Sequence, residues 1–239
     1  MDIKNLDSEQ KALRLRILDI SFQRKLSHIG SCLGAIDMIS AVYKVKKRRE
    51  KFVLSSGHAG VALYAVLEKN KMLNPSETNK LHIHPDRNSK IGIDVSTGSL
   101  GHGLPIALGI ALANKNKNAY CLISDGECTE GSVWETLRIA TNKRVSNLKI
   151  LLNVNGWGAY DPISSSKLYR QIRAFDCELI QLNGHNMKAL TNALSKNYEK
   201  PLFIFAKTKS DQLPFLRKQD AHYYIMNSDD YRLAKKILS

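Results

Sequence analysis

No stretch of the chain approaches the roughly 20 consecutive apolar residues that a membrane-spanning helix needs, which argues against an integral membrane protein. The opening Met1-Asp2-Ile3-Lys4 is acidic and polar and lacks the apolar segment of a secretory leader, so a cytoplasmic location is expected. Cysteine is scarce. Cys32, Cys121, Cys128 and Cys177 form no Cys-x-x-Cys pair and show no zinc-type spacing with histidine, which leaves reduced, structural thiols. There is no internal repeat, low-complexity tract or obvious linker, so solenoid and disordered architectures are set aside. Acidic residues are outnumbered, 22 against 36 lysines and arginines, for a formal net charge of +14. That surplus raises the question of nucleic acid, but the basic residues are scattered. The one dense run, Lys44 to Lys51, reads as a solvated connection. No nucleic-acid partner is expected, and the same charge is explained by attraction to anionic substrates or to a partner subunit of acidic character.

What is present is a 239-residue chain, 43% hydrophobic, in which short apolar runs alternate with helical patterns. The runs Phe52–Ser55, Ala119–Ile123, Leu148–Leu152, Glu178–Leu182 and Leu202–Ala206 predict buried strands. Ser8–Arg24, after an Asp7 or Ser8 cap, predicts an amphipathic helix. Val61–Lys69, Leu104–Ala113, Val133–Asn142, Met187–Leu194 and Ser228–Leu238 predict further helices, the last with acids in its first turn and lysines in its last. Alternation of this kind predicts an α/β fold, an open and mostly parallel sheet with helices on both faces, as one domain over residues 1–239 with a C-terminal tail at 210–239.

In such sheets ligands bind beyond the carboxyl ends of the strands. The residues there are polar and glycine-rich: Ser124-Asp125-Gly126-Glu127 after one strand and Asn153-Val154-Asn155-Gly156-Trp157 after the next. Asp125 and Asn155, one strand-helix-strand unit apart, are expected at neighbouring tips. A carboxylate and an amide oxygen together suit a hard cation, Mg²⁺ or Ca²⁺, and Mg²⁺ with a diphosphate is the natural pairing. Gly126 permits a close backbone approach to phosphate near a helix start. The ordinary structural reading, an Asp-Gly turn and a strand-end cap, stays open on these residues alone. A second glycine cluster, Thr97 to Pro105, opens the most apolar helix, and helix packing would also account for it. Several of the seven histidines sit in glycine-bounded loops, His28, His58, His102 and His185 among them. His82 and His185 are read as structural; the others suit proton transfer with sugar hydroxyls and hydrogen bonds to phosphate.

In order and spacing these segments resemble the N-terminal, diphosphate-binding domain of transketolases. His28-Ile29-Gly30-Ser31-Cys32-Leu33-Gly34 is similar to the family's first histidine loop and Phe52 to Gly60, with Ser56-Gly57-His58, to its second. His84-Pro85 with Thr97-Gly98-Ser99-Leu100-Gly101 is similar to its third. Asp125-Gly126-Glu127-Cys128-Thr129-Glu130-Gly131 with Asn155 resembles the Gly-Asp-Gly…Asn thiamine diphosphate motif. The resemblance implies that Asp125, Asn155 and the backbone carbonyl of Trp157 hold Mg²⁺. It implies that His58, Gly126 and His222 contact the diphosphate, and that Gly98, Ser99 and Leu100 lie by the aminopyrimidine. His28, His84 and His222 would line the substrate channel as catalytic groups, and Glu130 and Glu135 would stand near the cofactor's proton path at the interface between subunits. Departures from the family pattern are Ser124 in place of the first glycine and a glycine-poor Lys207–Asp211. The connections Lys44–Lys51 and Asn74–His84 are short. The family's pyrimidine-binding domain, with its cofactor-activating glutamate, has no counterpart in these residues. The resemblance therefore implies a split transketolase acting on small sugars, in which this chain and a separate pyrimidine-domain subunit pair in an α₂β₂ assembly. The alternatives are another thiamine diphosphate enzyme, of the 2-oxoacid decarboxylase or dehydrogenase type, or a non-catalytic partner-binding relic. The histidine loops favour a polyhydroxylated substrate over an oxoacid, and Asp125 with Asn155 disfavours the relic.

Overall fold

A computed structural model describes residues 5–158, 161–218 and 220–238. Along the chain run α1 (Ser8–Gln23), α2 (Ile29–Val45), β1 (Lys51–Leu54), α3 (Gly60–Lys69), the short α4 (Pro75–Thr78), α5 (Gly103–Ala113), β2 (Ala119–Ser124), α6 (Gly131–Asn142), β3 (Leu148–Val154), α7 (Ser165–Arg173), β4 (Glu178–Asn183), α8 (Met187–Ser195), β5 (Leu202–Lys207), α9 (Asp220–Tyr223) and α10 (Ser228–Leu238). The strands form one sheet, ordered β1-β2-β3-β5-β4, and every pairing is parallel. The α/β expectation is therefore met, and each of the five predicted strands is found within a residue or two of its apolar run. Burial holds for four of them; β4, at one edge of the sheet, keeps none of its residues fully buried.

Alternation along the strands divides the interior in two. Phe52, Leu54, Tyr120, Leu122, Leu151, Leu202 and Ile204 join α1, α2, α3, α8 and α10 in one core. Val53, Cys121, Ile123, Ile150, Leu152, Phe203 and Phe205 join α5, α6 and α7 in the other. Successive strand side chains point to opposite faces, so unbroken apolar runs supply both layers at once. The segment after β5 belongs to the first core, where Leu213, Leu216, Ala221, Met226, Ala234 and Leu238 are buried. No helix among the described residues is long and apolar enough to cross a membrane.

Four helices were not expected: the short α4 and α9, and the longer α2 and α7. His28 to Gly34, read as a loop, is instead the first two turns of α2, whose residues Ile29 to Val42 are all buried. A helix apolar on every side shows no amphipathic period, and its glycines mark close packing rather than a turn. A Cβ on Gly30 would lie 2.7 Å from Ala221 Cβ, so the glycine admits the C-terminal segment against the helix. Conversely α7 buries only Leu168 and Ile172 behind a Ser164 cap, a weak signal in a polar stretch. α1 starts on the expected Asp7, in a capping box with Gln10.

A buried polar network closes the first core. Arg14 on α1 donates to both carboxylate oxygens of Asp37 on α2, at 3.1 and 2.5 Å, and its Nε donates to Gln212 at 2.9 Å. His185 Nδ1 lies 2.8 Å from Asp37 Oδ2, while its Nε2 accepts from the Lys209 N–H at 3.2 Å. This fixes a structural use for His185, and the His82 side chain is 81% exposed.

Candidate functional site

The parallel register brings the β2 and β3 tips together. Ser124 pairs with Asn153, and the Asp125 N–H then donates to the Asn153 carbonyl at 3.0 Å, extending the ladder one step. The Asp125 carboxylate turns towards the 155–157 turn. Its Oδ2 accepts from the N–H groups of Asn155 at 2.9 Å and Gly156 at 2.7 Å, and its Oδ1 accepts from Gly126 N–H at 3.1 Å. Gly156 has φ +86°, the left-handed geometry that lets successive N–H groups converge on one oxygen. The Asn155 side-chain oxygen accepts from Trp157 N–H at 2.9 Å. Asp125 is fully buried, and no Lys, Arg or His side chain among the described residues pairs with it. Burial pushes its carboxyl up to about 7, against the opposing pull of the backbone N–H groups.

That donor set fits a hard cation. The Asp125 carboxylate and the Asn155 amide oxygen meet at one turn, and the buried carboxylate lacks a cationic partner among the described residues. No group of three or more His, Cys, Asp or Glu gathers as a metal cage among the described residues. A cation here would therefore complete its shell from water and phosphate oxygens, which is the habit of Mg²⁺.

Beside this turn lies a cavity of ≈ 160 Å³, lined by His28, His58, His84, Gly98, Leu100, Gly126, Asn155, Trp157 and His222. These nine expected residues, drawn from seven separate stretches of chain, meet at the carboxyl ends of β1, β2 and β3. The volume is below the roughly 300–1,000 Å³ of ordinary small-molecule sites, so this chain alone encloses only part of a cofactor-sized ligand. The rings of His28 and His58 are 5.4 Å apart and those of His58 and His222 are 6.4 Å apart. His28 sits at the start of α2 with φ +64°, held there by its N–H donating to the His222 carbonyl at 2.7 Å. Gly98, with φ +151°, lies flat on His84, where a Cβ would come within 3.0 Å of the ring.

No carboxylate among the described residues pairs with these imidazoles, and their titration follows. Burial first, then the neighbouring His222 and His84, push His28 down to about 4. Burial and the other three rings push His58 down to about 3, and burial lowers His222. All three are neutral near pH 7, able to donate at one nitrogen and accept at the other. His222 Nδ1 is buried with no hydrogen-bond partner among the described residues, a nitrogen left for a ligand.

Some expected residues fall elsewhere. Ser99 and His102 do not line the cavity, and His102 is exposed. Glu130 stands at the start of α6 with its side chain against Gly101, and Glu135 pairs with Arg138 on the exposed face of α6. Asp125 does not line this cavity but a separate one, with Cys128, Trp134 and Ile163. The structure adds Ser124, Asn153, Gly158 and Tyr223 to the lining. Ser124 lies in β2 and Asn153 in β3, and polar residues at the ends of apolar strands were the available signal; Tyr223 had none beyond its neighbour His222. A larger cavity, ≈ 800 Å³ with Arg49, Lys51, Arg87 and Lys117 in its lining, opens at the opposite end of β1 and β2 and gathers part of the surplus positive charge.

Comparison with known proteins agrees with this geometry. The family model described as transketolase, thiamine diphosphate binding domain, matches residues 7–238. Human transketolase is 32% identical over 232 residues, covering 86% of this chain and 37% of that protein. The A-subunit of the apulose-4-phosphate transketolase of Phocaeicola vulgatus is 28% identical over 269 residues, covering 100% of this chain and 95% of that one. The chain thus spans little more than a third of the human relative and nearly the whole of the Phocaeicola vulgatus one. In fold it is similar to the transketolase of Campylobacter jejuni, with TM-score 0.79 and 22% identity over 99% of this chain and 47% of that one.

Proposed function

Because the chain belongs to the transketolase thiamine diphosphate-binding family, we propose that it is the diphosphate-binding half of a two-chain transketolase that moves a two-carbon ketol unit from a ketose, phosphorylated or otherwise activated, to an aldose. The observation that carries this reading is the fully buried Asp125 carboxylate, which meets no cationic side chain among the described residues and stands beside a histidine-lined cavity. Asp125, Asn155 and the Trp157 carbonyl would hold Mg²⁺, and through it a diphosphate. Gly98 and Leu100 would lie by the aminopyrimidine. The pyrimidine-binding domain would come from a second polypeptide, which is supported by the near full-length similarity to a protein that is itself one subunit of a transketolase. An α₂β₂ assembly follows if the sites are built pairwise.

Thiamine diphosphate, when bound, supplies the electron sink that lets a carbon–carbon bond break and re-form. The work left to this chain is binding, orientation and proton management. The metal turn fixes one end of the ligand and so removes its translational freedom. His28, His84 and His222 would line the substrate channel and present nitrogens to the hydroxyl groups of a sugar, with His28 and His222 kept neutral by burial as hydrogen-bond partners, and His58 would contact the diphosphate.

The test is ketol transfer by the chain mixed with its pyrimidine-domain partner, thiamine diphosphate and Mg²⁺. Transfer that survives Asp125→Ala unchanged, or calorimetry that detects no cofactor uptake by the pair, refutes the reading.

A further inference from the structure

Glu127 lies outside the cavity, yet its carboxylate joins three of the segments that frame the site. It is fully buried. Its Oε1 accepts from Ser55 Oγ at 2.5 Å and from Gly101 N–H at 3.1 Å. Its Oε2 accepts from Ser124 N–H at 2.9 Å and from Ser124 Oγ at 3.3 Å. Ser55 Oγ in turn accepts from Gly103 N–H at 3.1 Å, so a second amide of the glycine cluster hangs on the same carboxylate at one remove.

The geometry has a reason. Ser55 follows β1 and leads to His58; Gly101 and Gly103 follow Gly98 and Leu100; Ser124 precedes Asp125 and Gly126. The 97–102 stretch belongs to no helix or strand, and Gly98 and Gly101 both have positive φ. No ladder therefore sets its distance from the β2 tip. Buried backbone N–H groups need acceptors, and a carboxylate with two oxygens can serve two segments that approach from different sides. No lysine, arginine or histidine among the described residues pairs with Glu127, so its burial is offset by those donors alone.

We propose that Glu127 is a positioning residue. Its carboxylate sets the gap between the Gly98–Leu100 turn and the Asp125–Gly126 turn, the two walls between which the cofactor would lie. The identity of that ligand rests on the function proposed above, whereas the tie itself does not.

The test uses Glu127→Gln in the full chain with its partner. Glutamine keeps the size but has one acceptor oxygen, and Gly101 and Ser124 address different oxygens, so one N–H must face an amide donor. Hydrogen exchange at Gly101 or Ser124 should accelerate, and thiamine diphosphate affinity at fixed Mg²⁺ should fall, each by roughly tenfold or more. The cofactor's apparent KM should rise more than kcat falls. Leu190→Ala, in the first core away from the site, should lower the melting temperature without moving exchange at those two amides. Ser55→Ala, a milder change that leaves the carboxylate in place, should speed exchange at Gly103. Wild-type exchange at Gly101, Ser124 and Gly103 in these variants would overturn the proposal, as would unchanged cofactor affinity in Glu127→Gln. Exchange measured without cofactor decides the tie even if the wild-type pair takes up none, an outcome that would remove the proposed function instead.

Discussion

Asp37 and Asp125 are both fully buried aspartates, and the structure treats them in opposite ways. Asp37 meets Arg14 at two oxygens and His185 at one. Burial raises its carboxyl, but His185 and Arg14 outweigh that and leave it below the ordinary range. Asp125 accepts from backbone N–H groups, and burial holds it up at about 7. The first charge is compensated by cationic side chains, and the second meets only backbone donors among the described residues. The two aspartates thus differ in what faces them, not in how deep they lie.

That contrast can be broken most severely at Asp37. Asp37→Asn strands the Arg14 guanidinium in the core, and urea unfolding should show a loss of about 3–5 kcal/mol. Asp125→Asn, which strands no buried cation, should cost less stability than Asp37→Asn while Mg²⁺-dependent thiamine diphosphate affinity falls by roughly a hundredfold, about 2.7 kcal/mol. Equal losses of stability in the two variants would erase the distinction. Gly30→Ala probes the packing that brings His222 to the cavity. Its Cβ would meet Ala221 Cβ at 2.7 Å and the Ala221 carbonyl at 2.9 Å, so a cost of about 1–3 kcal/mol is expected, with cofactor affinity reduced alongside.

The smallest and most gradual effect concerns pH. His28 and His58 titrate at about 4 and about 3 in the folded chain, below the ordinary 6.5. Above pH 6.5 they are neutral in both folded and unfolded states and contribute nothing to the pH dependence. Below 6.5 the unfolded chain binds protons that the folded one refuses, so stability falls towards pH 4, by at most about 1.4 kcal/mol per pH unit for each ring. His58→Asn should flatten that slope in urea titrations across pH 4 to 7. An unchanged slope would mean that some other group, and not this cluster, governs the acid side.

Much of this was legible in advance, for identifiable reasons. Five apolar runs became five strands because each is short, apolar and bounded by polar residues, and β2 and β3 are buried along their whole length. The α1 cap was readable because Asp7 and Gln10 stand three apart. α2 was not, since a helix buried on all sides has no period, and α7 was not, since two apolar residues make too faint a stripe. In the candidate site, Asp125 and Asn155 were legible as strand-tip residues on adjacent runs. Glu127 was hidden, because its partners Ser55 and Gly101 are 72 and 26 positions away.

By itself, then, the sequence determined the layers of this protein and the places where its strands stop, because side-chain periodicity and chain breaks are local properties. The tertiary structure alone decided which polar groups share an interior. Arg14 and His185 stand 171 positions apart and meet at Asp37, while no cationic side chain among the described residues meets Asp125. Whether a buried charge is answered depends on its neighbours in space, and those are set only when the helices close over the sheet.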